Sequence, residues 1–107
     1  MTHLTLSRQI ATLLRDARAN HDRKQKLKLA RGLTILLYVT PAGEVHLMLT
    51  RTGTFPAPDE WKIVMAAWPE SLPTPRPTPA QFKTESTYCL STHWRTPAPE
   101  VILAAQP

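Results

Sequence analysis

Two stretches of this chain fit together in one register that puts their apolar residues on a single side. Starting at Lys26 the sequence alternates with a period of two. Leu27, Leu29, Leu33, Ile35, Leu37 and Val39 share one face, while Lys26, Lys28, Ala30, Thr34, Leu36, Tyr38 and Thr40 share the other. Pro41-Ala42-Gly43 follows, with proline suited to open a turn and glycine to take its left-handed position. The returning stretch is Glu44 to Arg51. Setting Thr40 against Glu44 pairs Val39 with Val45, Leu37 with Leu47 and Ile35 with Leu49. A slip of one residue would send every one of these side chains into water, so the hairpin register is strongly specified. The outward pairs are then Tyr38 with His46, Leu36 with Met48 and Thr34 with Thr50, a face only partly polar. Arg31 alone interrupts the apolar face. Beside Gly32 it reads as a bulge or as the true start of the strand.

Helices flank this hairpin. Ser7 suits a cap, and Ile10, Leu13, Leu14 and Ala17 recur at helical spacing, with Leu6 and His21 on the same stripe. Continuing the helix would carry Lys24 and Lys28 onto that stripe, so it should stop near Asn20 to Arg23. A second helix is expected from Pro58, with Asp59 and Glu60 in the first turn where the dipole favours acids. Its stripe is Trp61, Val64, Met65 and Trp68, and Pro69 stops it. Residues 69–80 then form a connector with proline at every second position from Pro73 to Pro79, extended and unable to donate ladder bonds. Beyond it Tyr88, Leu90 and Trp94 alternate with Thr87, Cys89, Ser91 and His93, a third strand ended by Pro97 and Pro99. Val101 to Leu103 are expected to dock on the core.

The expected fold is one α+β domain over residues 1–107: a small antiparallel sheet, made of the central hairpin and a third strand, with two helices on one face. The element order is α-β-β-α, the proline-rich connector, then β. A chain of this length buries roughly 65% of the surface it exposes when unfolded, enough for one modest core.

The charge distribution points toward a partner. Residues 1–31 hold Arg8, Arg15, Arg18, Arg23, Lys24, Lys26, Lys28 and Arg31 against Asp16 and Asp22, a net charge of +6. The whole chain carries only +5. A concentrated basic segment attracts polyanions, nucleic acid foremost, and these eight side chains are the candidate phosphate contacts. The plain alternative is a solvated face, with lysines guarding a sheet edge against aggregation. The competing reading is a protein-interaction module or homodimer. It would use the semi-apolar outer hairpin face of Leu36, Tyr38, His46 and Met48, joined by Trp94.

Catalytic and cofactor signatures do not emerge. The single cysteine, Cys89, excludes an internal disulfide and a cysteine-based zinc site, and fits a reducing compartment. The four histidines are scattered, and Cys89 and His93 lie four apart, a metal-pair spacing only on a helix. Nothing matches a nucleophile elbow or a glycine-rich phosphate loop. The expectation is therefore a small binding protein without enzymatic activity, cofactor or metal. The longest unbroken apolar run, Ile35 to Val39, is far too short to span a bilayer. No apolar leader stands out near the start. The expected setting is cytoplasmic, with no membrane partner.

Overall fold

The computed structural model describes residues 3–75 and 78–95. Its architecture is α+β: two α-helices lie against one face of a five-stranded antiparallel sheet.

The first helix, α1, covers His3–Ala19. It begins upstream of Ser7, which therefore sits inside the helix and does not cap it. The reason lies in the apolar stripe: Leu6 is buried together with Ile10, Leu13, Leu14 and Ala17, and this draws the first turn into the helix. The helix closes where Asn20 folds back, its backbone and side-chain N–H groups donating to the Asp16 carbonyl at 3.0 and 2.9 Å. Asp22, at φ 62°, turns the chain toward the sheet.

Five strands follow: β1 at Gln25–Lys28, β2 at Thr34–Val39, β3 at Glu44–Thr52, β4 at Ala80–Thr84 and β5 at Thr87–Arg95. Their spatial order is β1-β2-β3-β5-β4. The β2–β3 register matches the expected one at every position, from Thr34 opposite Thr50 to Val39 opposite Val45. Gly43 takes the left-handed turn conformation at φ 86°.

The alternating run from Lys26 is two strands, not one. Arg31 at φ 61° and Gly32 at φ 73° reverse the chain through a single 3-10 turn, Ala30–Gly32. The Leu29 N–H donates to the Leu33 carbonyl at 2.7 Å, and Leu27 lands opposite Ile35. Reversal through an odd number of residues returns odd-numbered side chains to the odd face. Alternation alone therefore cannot distinguish a straight strand from this hairpin.

The second helix, α2, covers Pro58–Ala66. Trp61 and Val64 are buried on it, and Trp68 is buried just beyond its end. The helix ends short of Pro69: the Ala67 N–H still makes the α-helical bond to the Ile63 carbonyl at 3.1 Å, and the Trp68 N–H then donates to the Met65 carbonyl at 3.2 Å, a tighter bond that closes the last turn. Glu60 closes the helix start by accepting the Ala57 N–H at 2.7 Å. The same carboxylate receives a two-pronged grip from Arg51 of β3, with Nη1 to Oε1 at 2.6 Å and Nη2 on Oε2. Arg51 Nε in turn donates to the Arg31 carbonyl at 3.2 Å. One guanidinium thus ties α2, β3 and the 3-10 turn together, which the helix dipole alone did not foretell.

The core forms between the helices and the odd-numbered sheet face. Ile10 and Leu14 of α1 and Val64 of α2 meet Ile35, Leu37, Val45, Leu47 and Leu49, all fully buried. Trp94 of β5 belongs to this side as well, edge-to-face with Trp68 at 5.6 Å.

The sheet is wider than a hairpin plus one strand, because β1 and β4 are both additional. β4 starts at the last residue of the span read as a connector, runs on through residues 81–84, which carried no expected element, and pairs with β5 from Ala80–Ser91 to Thr84–Thr87. The docking expected of Val101 to Leu103 falls outside the described residues. No helix among the described residues is long and apolar enough to cross a membrane.

Candidate functional site on the outer sheet face

Among the described residues, no helix packs on the outer face of the sheet, which carries the even-numbered residues of β1 to β4 and the odd-numbered residues of β5. The strand register lays its side chains out in rows. One row runs Lys26, Leu36, Met48, Ser91, Ala80, and the next runs Lys28, Thr34, Thr50, Cys89, Phe82. A third row holds Tyr38, His46 and His93. Leu36, Tyr38, His46 and Met48 are half-buried, Thr50 and Cys89 are buried, and Phe82 is exposed. Burial pushes the Cys89 thiol above its ordinary pKa, against a smaller opposing pull from the Lys24 ammonium.

This geometry divides the eight cations of the basic segment. Lys26 and Lys28 border the outer face along β1, an edge strand, and Lys24 is exposed just before it. Arg8 and Arg15 point away from the core on α1, on the far side of the sheet, and Arg18 lies on a helix flank. Arg15 also has Asp16 beside it, at 3.7 Å. Arg23 is exposed in the turn after α1, and Arg31 is exposed in the 3-10 turn near Glu60. No single plane holds all eight. The lysines share the outer face with the aromatic row, while the helix arginines face the opposite way.

The outer-face residues proposed as a protein interface divide too. Leu36, Tyr38, His46 and Met48 do lie together. Trp94 does not join them: it is the cross-strand partner of Val45, on the core side.

At one end of the outer face three side chains converge. Glu44 opens β3, held by Thr40, whose Oγ1 accepts the Glu44 N–H at 3.1 Å. His46 follows two residues later on the same face, and His93 is its cross-strand neighbour on β5. His46 Nε2 lies 3.0 Å and His93 Nε2 3.9 Å from the same carboxylate oxygen, Glu44 Oε1. The rings are aligned as well: Tyr38 stacks on His46 at 4.5 Å and 3°, and His46 on His93 at 5.4 Å and 22°. Sequence reasoning took the histidines as scattered. Glu44 and His46 were visible as a same-face pair, but only the β3–β5 register adds His93. Cys89 stays apart from this cluster, because four residues along a strand span roughly 13 Å.

The other side of the molecule offers an apolar cleft between the helices and the 3-10 turn, walled by Leu6, Leu29, Leu33, Ile63 and Val64. Its one acid, Glu60, is already engaged by Arg51.

Comparison with protein-family models, with curated proteins and with solved structures finds no match.

Proposed function

We propose that this chain is a binding protein that holds single-stranded nucleic acid across the outer face of its sheet. The observation that carries the reading is the shared face: the β1 lysines border the same surface, bare of helix among the described residues, as the Tyr38–His46–His93 row and Phe82. Lysine ammonium groups attract phosphates, and planar rings on an open sheet provide surfaces on which unpaired bases stack. Duplex recognition is less well supported, since among the described residues no helix presents an exposed basic side next to these rings. The helix arginines contribute general attraction and not direct contact.

The test is an anisotropy titration with mixed-sequence single-stranded DNA and RNA at low salt. The wild-type chain binds, with affinity falling steeply as salt rises. Replacing Lys24, Lys26 and Lys28 with glutamate abolishes binding, and Tyr38→Ala weakens it by about 1–3 kcal/mol. Replacing Arg8, Arg15 and Arg18 has a much smaller effect. Absence of binding at low salt, or loss only in the helix-arginine variant, overturns the proposal.

The semi-apolar patch of Leu36 and Met48 supports a second reading, self-association through the same face. Light scattering separates the two: a monomer whose nucleic-acid binding is sensitive to the β1 lysines excludes it.

A further inference from the structure

The geometry points to a divalent transition-metal site formed by Glu44, His46 and His93, a site that stands independently of nucleic-acid binding. The donor atoms of these residues all lie within 4.8 Å of one another. An ion bonded at about 2.0–2.2 Å to nitrogen and oxygen ligands holds neighbouring donors roughly 3–3.5 Å apart. His46 Nε2 and Glu44 Oε1 are already 3.0 Å apart, and His93 Nε2, at 3.9 Å from that oxygen, needs only a small side-chain rotation to close.

The supporting structure favours such a site. Two donors sit two residues apart on one strand and the third is directly opposite, so paired backbone fixes their spacing. The Tyr38 ring holds the plane of His46, and the Thr40 hydroxyl holds the backbone of Glu44. This pre-arrangement lowers the ordering cost of binding.

The donor set selects the ion. Two imidazoles and one carboxylate suit zinc or ferrous iron, whereas calcium and magnesium prefer oxygen ligands throughout. The His93 side chain is 58% exposed and Glu44 35%. The remaining coordination positions therefore face solvent. The site keeps room for water or for an anionic ligand such as a phosphate or carboxylate oxygen. This departs from the sequence reading, which assigned the chain no metal.

The test is calorimetric titration of Zn²⁺ into chelator-treated chain at neutral pH, without nucleic acid, alongside the imidazole proton spectrum. The expected result is one ion per chain, with the ring signals of His46 and His93 shifting together and those of His21 unmoved. Glu44→Gln and His93→Ala each weaken uptake by at least about tenfold, and His21→Ala does not. Both substitutions are at solvent-facing positions, and circular dichroism verifies that the variants fold. No zinc uptake, or uptake that survives both Glu44→Gln and His93→Ala, overturns the site.

Discussion

The two faces of this sheet are made by the same strands in the same register, yet they differ in kind. The odd-numbered face is apolar from β2 through β3 and fully enclosed by the helices. The outer face mixes lysine, imidazole, phenol, thiol and thioether groups and carries no helix among the described residues. The enclosed face answers mainly to packing, with the Arg51–Glu60 pair fastening its margin. The other keeps polar and ring-bearing side chains at positions where simple solubility would favour threonine or lysine throughout. Alternation along a strand thus separates what holds the fold from what is free to meet a ligand.

Mutations on the two faces should therefore behave differently. The largest effect on stability is expected at the centre of the enclosed face. Leu47→Ala removes a fully buried side chain and costs about 2–5 kcal/mol in urea unfolding. Leu36→Thr, on the open face of the adjacent strand, costs less than about 1 kcal/mol. Similar losses at the two positions would mean that the outer face is covered in solution.

A smaller effect is expected where α2 is fastened to β3. Glu60→Gln leaves the half-buried Arg51 without its charged partner and costs about 1–3 kcal/mol. Arg51, through its hydrogen bonds, holds the Glu60 carboxyl below its ordinary pKa, and burial only partly offsets this. A lowered folded-state value means that the contribution is complete above the unfolded carboxylate value of about 4.3. It is lost as pH falls through the folded value. The variant should therefore show a flatter loss of stability on acidification, measured as urea midpoint against pH. An unchanged acid slope would assign the acid sensitivity to other carboxylates.

The smallest effect on stability belongs to the open face's cationic border. Replacing Lys24, Lys26 and Lys28 with glutamate changes unfolding free energy by no more than about 0.5 kcal/mol, because all three are exposed. Loss of nucleic-acid binding in a variant this stable sharpens the contrast between the faces. A large drop in stability would blur it.

What could be read before any coordinates follows the same division. The β2–β3 register was legible because three apolar pairs must be enclosed together, and it appears residue for residue. The β1 hairpin was hidden because its turn preserves parity. β4 was hidden for a different reason: Ala80, Gln81, Phe82, Lys83 and Thr84 are all exposed, so nothing in their pattern reports enclosure. Its place is set by backbone pairing to β5 and not by burial. The Glu44–His46–His93 cluster was half legible, since hydrophobic pattern fixes which residues lie inward but not which polar residue of a distant strand becomes a neighbour.

β4 also leaves the sheet with two unequal rims. The β1 rim carries Lys26 and Lys28, flanked by Lys24, and mutual repulsion discourages a second chain from extending the ladder there. The β4 rim has one lysine, Lys83, whose ammonium leans over the Tyr88 ring at 4.9 Å, and beside it an uncovered Phe82. Under crowding, or during slow refolding, strand addition between molecules should therefore begin at β4, and a charge placed at Phe82 would close that route without touching the core.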